Sequence, residues 1–143
     1  MTLNKNVKRI LIGVTGLVIV VGVTLFTIRG SIGRSNAEKL VNYMYTFNSI
    51  EDVKGRQDKI KGLITKDAYQ FVELNNMEHS LQAYLKLKGK SSKVDIQNVT
   101  DDYVIYELDS EAITPGRTFM LMYETNFLGK LSRIREAGVV DFY

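Results

Sequence analysis

The chain has 143 residues, no cysteine and a formal net charge of +3. This length fits one domain, or one membrane anchor followed by one small domain. The absence of cysteine excludes disulfides, thiolate metal sites, cysteine nucleophiles and a lipid anchor on a lipobox cysteine.

The charge is unevenly distributed along the chain. All sixteen acidic residues follow residue 37, whereas residues 1–29 carry four bases and no acid. The other fifteen bases face sixteen acids, so residues 30–143 have a net charge of −1. A nucleic-acid-binding domain would concentrate its bases on the folded part. No specific nucleic-acid binding is therefore expected.

An apolar run of nineteen residues without a charge occupies residues 10–28. About twenty apolar residues, rising 1.5 Å each, span a hydrocarbon core of roughly 30 Å. Signal-peptide cores are usually shorter, about 7–15 residues. The cleavage-like Ser35-Asn36-Ala37 ends nine residues beyond the run. The run therefore predicts a transmembrane anchor in preference to a cleaved signal.

Bases flank the run on both sides: Lys5, Lys8 and Arg9 precede it, and Arg29, Arg34 and Lys39 follow it. Positive charge favours the cytoplasmic side of a membrane, and the amino terminus adds to the three bases that precede the run. The nine-residue head is also too short to fold. The predicted arrangement is a cytoplasmic head (residues 1–9), one transmembrane helix (10–28) and an extracytoplasmic domain (30–143). The predicted location is thus the cell membrane, with a single pass.

A first helix of the domain is predicted to be capped by Ser31 or Ser35 and to run to about Asn48. It either continues the membrane helix or is separated from it at Gly30 and Gly33. Its inward stripe has i, i+3, i+4 spacing and consists of Ala37, Leu40, Val41, Met44 and Tyr45.

Two further helices are predicted after the first. Ser49, followed by Glu51 and Asp52, is typical of a helix start, and the polar helix that follows reaches Ile64. Thr65-Lys66-Asp67 begins the third helix. Its inward side chains are expected to be Ala68, Phe71 and Val72, with Tyr69 left open.

Beyond Asn75-Asn76 the apolar period becomes alternating, which indicates strands. The predicted strands are Leu81–Lys88, Val94–Val99, Tyr103–Leu108, Thr118–Thr125 and a region from Lys130 to Tyr143. The side chains expected in the core are Leu81, Leu85, Ile105, Leu121 and Ile134. Helices followed by hairpins predict an α+β fold: about three helices packed on a curved antiparallel sheet of four to five strands.

The residues following the apolar run carry a motif. It reads Tyr43-x-Tyr45-x-Phe47-Asn48-Ser49-x-Glu51-x-x-x-x-Arg56, then Leu63-x-Thr65-x-x-x-Tyr69, and the strands end in Gly129-Lys130-Leu131. With the membrane helix, this resembles the bitopic scaffold proteins of type IV secretion systems, particularly in conjugative plasmids of Gram-positive bacteria. The resemblance implies a nuclear transport factor 2-like domain and no catalytic residues. One departure is Leu131, where that family usually has an aromatic residue.

Few residues suggest a metal or ligand site. His79 is the only histidine and is interpreted as a surface residue, because neither cysteine nor a second histidine could complete a transition-metal site. Asp101-Asp102 and Asp109-x-Glu111 are better explained as turn residues, since they lack a complete calcium loop. No metal site and no cofactor are predicted.

A basic run follows the first predicted strand, at Lys86, Lys88, Lys90 and Lys93. It could contact anionic lipid or DNA. Lysines on a strand more often form a solvated face that blocks edge pairing, and that interpretation is preferred here.

Enzymatic activity is a minor hypothesis. Small isomerases with a cone-shaped fold pair an acidic base with an oxyanion-binding tyrosine or acid. Glu107, Asp109 or Tyr106 would fill these roles here, but alternation alone does not place any of them inside a pocket. The chain is predicted not to be an enzyme, and no catalytic residue is assigned.

The predicted function is structural: a membrane-anchored assembly component of a conjugative type IV secretion channel, acting through protein–protein contacts. The expected partners are other secretion-channel proteins and further copies of the chain in the membrane. Arg56 and Lys59, on the polar second helix, are candidate contact residues. The alternative is a membrane-tethered ligand- or lipid-binding module with a concave pocket.

Overall fold

The computed structural model describes residues 5–74, 91–110 and 118–138, and the side chains of residues 6–70, 91–108 and 118–138. The helices are α1 (Lys5–Tyr45), α2 (Ile50–Val53), α3 (Arg56–Leu63) and α4 (Lys66–Leu74). The strands are β1 (Ser92–Val99), β2 (Tyr103–Ser110), β3 (Thr118–Thr125) and β4 (Leu131–Gly138). The strands pair antiparallel in chain order and form an open sheet. The predicted α+β fold is confirmed.

Several predicted features lie outside the described residues. They are the side chains of Phe71 and Val72, the strand Leu81–Lys88 with its core residues Leu81 and Leu85, His79, Glu111, the lysines at 86, 88 and 90, and the chain after Gly138.

The apolar run and the first helix of the domain form a single helix. α1 is 41 residues long, and its N-terminal part is long and apolar enough to cross a membrane. Its apolar side chains are exposed through Ile28, whereas Ala37, Leu40 and Val41 are completely buried. The predicted caps at Ser31 and Ser35 are therefore wrong, because both serines lie within the helix.

Gly30 and Gly33 lie within the continuous α1 and provide room for the sheet. A Cβ on Gly33 would lie 2.7 Å from the Thr125 methyl group, and one on Gly30 would lie 3.2 Å from a carboxylate oxygen of Asp101. The two glycines thus permit the ends of β3 and β1 to approach the helix closely.

The polar second helix is split in two. Ser49 caps α2 as predicted: its hydroxyl accepts the Asp52 N–H at 3.3 Å, and Asp52 accepts the Ser49 N–H at 3.1 Å. The chain leaves helical geometry at Lys54 and Gly55, where Gly55 has φ +76°, and α3 follows. α4 begins after Thr65, as predicted, and buries Ala68.

The core lies between α1 and one face of the sheet, here called the inner face. The predicted stripe of α1 is buried against it from Ala37 to Tyr45. Leu121 and Ile134 are buried as predicted. The expectation for Ile105 is wrong, because Ile105 lies between the inward Val104 and Tyr106 and is only half-buried. Alternation along β2 therefore directs Ile105 to the outer face.

Both edge strands of the sheet, β1 and β4, form backbone hydrogen bonds with segments that adjoin the helices. Phe47 and Ser92 exchange backbone hydrogen bonds of 2.9 and 2.8 Å at the start of β1. The Thr65 N–H donates to the Leu131 carbonyl at 2.8 Å at the start of β4. These contacts satisfy backbone groups at places where an open sheet would otherwise expose them.

Candidate functional site

Three polar side chains of α1 hold two turns of the sheet. The β1–β2 turn (residues 100–102) and the β3–β4 turn (residues 126–130) lie at the same end of the sheet, since each connects antiparallel neighbours. Arg34 pairs with Asp101 at 2.5 Å. Arg29 donates to the hydroxyl of Thr125 at 3.3 Å and to its carbonyl, and Asn36 donates to the Gly129 carbonyl at 3.0 Å.

The β3–β4 turn is rigidly built. The Asn126 side-chain oxygen accepts the N–H groups of Leu128 and Lys130, each at 3.0 Å. Gly129 has φ +75°, and a Cβ there would lie 2.6 Å from the Ile32 side chain and 3.3 Å from the Arg29 carbonyl. Only glycine fits this position without strain. The turn is thus fixed directly against α1.

A second polar group lies at the margin of the core and is here called the tyrosine cluster (Tyr45, Tyr106 and Glu136). Both tyrosines are buried, whereas Glu136 is exposed. Tyr45 closes α1, Tyr106 lies in β2 and Glu136 lies on the inner face of β4. The two tyrosine rings stack with centroids 5.4 Å apart, and Phe119 also stacks with Tyr106, at 5.8 Å. Both hydroxyls donate to the same oxygen of Glu136, Oε1.

The protonation of the tyrosine cluster follows from its environment. Burial is the main cause that raises the pKa of both Tyr45 and Tyr106 far above the usual range, and the Glu136 carboxylate raises both further. Both hydroxyls stay protonated and point at Glu136. Their donor capacity is therefore used within the protein, and the arrangement ties α1 to β2 and β4.

Two of the residues considered for an enzymatic role, Tyr106 and Glu107, are separated by the sheet. Tyr106 is completely buried, whereas Glu107 follows it in β2 and lies on the outer face, opposite Asp95 and Thr118. The side chain of Asp109 lies outside the described residues. Tyr106 and Glu107 thus face opposite sides of the sheet.

The other candidate sites have ordinary environments. Asp101 is paired with Arg34, and the exposed Asp102 accepts the Tyr123 N–H on its backbone carbonyl at 2.8 Å. Within residues 5–74, 91–110 and 118–138, no group of three or more acidic or histidine side chains is placed to hold a metal ion. Lys93, the one described member of the basic run, is exposed on β1.

Arg56 is a core residue, and its expected role as a surface contact is wrong. Its side chain is only 5% exposed, and Nη1 donates to the carbonyls of Tyr43 at 3.2 Å and Met44 at 2.9 Å. These carbonyls belong to the last turn of α1, which lacks helical partners. Lys59 is exposed, with Nζ 5.6 Å from the centre of the Tyr43 ring.

The outer face of the sheet carries an apolar patch, defined by Tyr103, Ile105, Met120 and Met122. Tyr103 pairs with Met122, and Ile105 pairs with Met120, so the four side chains adjoin one another. Met122 is 37% exposed and the others are half-buried. An ion pair borders the patch, with Arg133 and Glu124 3.1 Å apart. The sequence analysis did not predict this patch, although β2 and β3 carry apolar residues at both their inward and their outward positions.

Four residues of the motif lie where the C-terminal end of α1 meets β1 and the following helices. Tyr45 belongs to the tyrosine cluster, Phe47 is buried beside β1, Ser49 caps α2 and Arg56 closes α1. This part of the motif therefore joins α1 to the helices after it, whereas its last residues, Gly129-Lys130-Leu131, lie at the β3–β4 turn and the start of β4.

Comparisons with protein-family models, with curated proteins and with solved structures found no match. The resemblance to type IV secretion scaffold proteins thus depends on the sequence motif and the order of elements alone.

Proposed function

We propose that this chain is a membrane-anchored assembly component of a conjugative type IV secretion channel, acting through protein–protein contacts of an extracytoplasmic domain. The observation that carries the proposal is α1. The same helix supplies a run that could cross a membrane and the stripe that covers the inner face of the sheet. No flexible linker separates the two parts.

A continuous helix suits a scaffold better than a tether. An exposed linker lets a domain sample many orientations above the membrane. Here Arg29, Arg34 and Asn36 hold both turns of the sheet against α1, within one to three turns of the apolar run. The domain is therefore held at a fixed height and orientation, and a fixed orientation lowers the ordering entropy lost when a partner binds.

The surface proposed for partner contact is the apolar patch of the outer face. Exposed apolar patches with polar borders are typical of protein interaction sites, and methionine suits adaptable contacts. Tethering to a membrane raises the local concentration, so a modest patch is sufficient for assembly. The ligand-binding alternative receives less support, because α1 covers the inner face with Leu40, Val41 and Tyr45.

Membrane orientation is the first test of this proposal. Protease added to intact protoplasts should digest the domain while the head stays protected. A domain that is degraded only after the membrane has been opened would place it in the cytoplasm and contradict the proposal.

The contact surface is tested by charge substitution. Met122→Glu should reduce DNA transfer and the recovery of partner proteins with the full-length chain, because it places a carboxylate in the apolar patch. Gln70→Glu is the matched control, because Gln70 is exposed on α4 and the substitution adds the same single negative charge. Normal transfer and normal partner recovery with Met122→Glu would contradict the assigned surface.

A further inference from the structure

The tip of the β3–β4 turn is unusually apolar for a surface turn. Phe127 is 80% exposed and Leu128 is 57% exposed. Among the described residues outside α1, these are the two most exposed large apolar side chains, and they are adjacent. The other turn at this end of the sheet carries Asp101 and Asp102. The two turns therefore present opposite chemistry on the same side of the domain.

The exposed tip adjoins the apolar run of α1. Phe127 and Leu128 line one groove together with residues of the helix: Gly22, Leu25, Phe26, Ile28, Arg29 and Ile32. The apolar surface of α1 thus continues onto the domain along this groove, in which Arg29 is the charged lining residue.

The position of the tip along α1 is fixed. Arg29 holds Thr125 just before the turn, Asn36 holds the Gly129 carbonyl, and Gly129 packs against Ile32. The Asn126 side chain braces the turn from inside. Displacing the tip from α1 would break these contacts, so its height follows the helix.

We propose that the β3–β4 turn inserts Phe127 and Leu128 into the membrane leaflet through which the C-terminal end of the apolar run passes. This inference rests on the proposed membrane anchor. At 1.5 Å per residue, Gly22 lies about 9 Å deeper than Ile28, and the groove extends to Gly22. Interfacial elements bury their apolar faces about 5–10 Å deep. The tip therefore lies at the boundary between headgroups and acyl chains.

The lipid bilayer is the occupant that the surroundings favour. Residues 22–28 of α1, which form the other side of the groove, are themselves exposed and apolar and would be covered by lipid in a membrane helix. Phe and Leu are among the side chains that interfacial elements bury at this boundary. The domain then contacts the bilayer at two points, the helix and the turn, which fixes its tilt.

The test uses the absence of native cysteine. Single-cysteine variants of the full chain are labelled with an environment-sensitive fluorophore and reconstituted in phosphatidylcholine–phosphatidylglycerol vesicles. Lipids carrying a spin label near the headgroup or deep in the acyl chain then report depth. The variants are Phe127→Cys and Leu128→Cys at the tip, Leu17→Cys in the middle of α1, and Lys93→Cys at the opposite end of the sheet.

The tip labels should show a blue-shifted emission and be quenched most strongly by the shallow spin label. The Leu17→Cys label should be quenched most strongly by the deep one, and the Lys93→Cys label by neither. Deep quenching at Leu17→Cys without any quenching at the tip would overturn this inference and leave the anchor intact. Absence of quenching at Leu17→Cys would overturn the anchor itself. A tip label that is shielded from aqueous quencher only at high protein-to-lipid ratio would assign the tip to a second copy and overturn insertion.

Discussion

The ring of Tyr45 stacks on the ring of Tyr106 at 5.4 Å, and the two hydroxyls donate to one carboxylate oxygen of Glu136. This contact joins the last residue of α1 to the middle of β2 and, through Glu136, to β4. Polar networks of this kind specify one packing arrangement, because each buried hydroxyl needs its acceptor. The network is therefore expected to contribute to the uniqueness of the fold.

Removing the acceptor should destabilise the domain. Glu136→Ala removes the charged acceptor of the Tyr45 and Tyr106 hydroxyls. Because Glu136 is itself exposed, water can take part of its place, and the expected loss is about 1–3 kcal/mol in total. Thermal unfolding of the detergent-solubilised chain measures the loss. Arg135→Ala is the control, since Arg135 is exposed on the outer face of the same strand. Equal midpoints for the two variants would contradict a stabilising role of Glu136.

Stability should fall at alkaline pH. Burial raises the pKa of Tyr123 to about 12, with the charge of Asp101 as the next cause, and the pKa values of Tyr45 and Tyr106 are raised further. The ordinary tyrosine pKa is about 10. Below that pH, both states keep these protons. Above it, the unfolded chain loses protons that the folded chain retains, so unfolding is favoured until pH passes the folded pKa.

The measurement is tyrosinate absorbance recorded beside circular dichroism during an alkaline titration. Three of the eight tyrosines should ionise only as the native signal is lost. Ionisation of all eight in a chain with native dichroism would show that the three hydroxyls are accessible.

The turn glycine should not tolerate a side chain. Gly129→Ala introduces a Cβ 2.6 Å from the Ile32 side chain at φ +75°, which is expected to cost more than about 1 kcal/mol. Gly62→Ala is the matched control, because Gly62 lies in α3 with open space around it. That variant should be stabilised by about 0.5–1 kcal/mol, the usual helix preference for alanine. Urea unfolding of both variants should give shifts of opposite sign.

Arg56 should be required for folding and not for a surface contact. Arg56→Met removes the donor to the Tyr43 and Met44 carbonyls, and each buried carbonyl left unsatisfied costs about 1–3 kcal/mol. Lys59→Met, on the exposed side of α3, should leave the unfolding midpoint almost unchanged. A stable Arg56→Met protein would indicate that other groups satisfy the end of α1.

Much of the architecture could be predicted from periodicity. The stripe from Ala37 to Tyr45, the cap at Ser49 and the strand Thr118–Thr125 follow from local patterns. The sequence left open whether the helix breaks at Gly30 and Gly33, and the structure shows that it continues, with Arg29 and Arg34 contacting Thr125 and Asp101 there. Such contacts depend on residues far away in the chain, so local propensity does not reveal them.

The side-chain networks were less accessible to prediction. Glu136 shares the parity of Ile134 in β4, which indicates the inner face, but nothing local predicts two tyrosine donors from other elements. Ile105 shows the reverse problem, since an apolar residue in a strand with apolar residues at both parities does not reveal its face. The membrane-facing tip was missed because Phe127 and Leu128 in a turn become informative only when their height along α1 is known.

The unbroken helix also links the length of the apolar run to the orientation of the domain. At 1.5 Å per residue, the 41 residues of α1 form a rod about 60 Å long. One residue inserted in the middle of the apolar run would lift the domain by about 1.5 Å and turn it by about 100° around the rod. The outer face would then point toward a different neighbour. A change in the length of the apolar run thus alters the height of the domain and the direction of its outer face together.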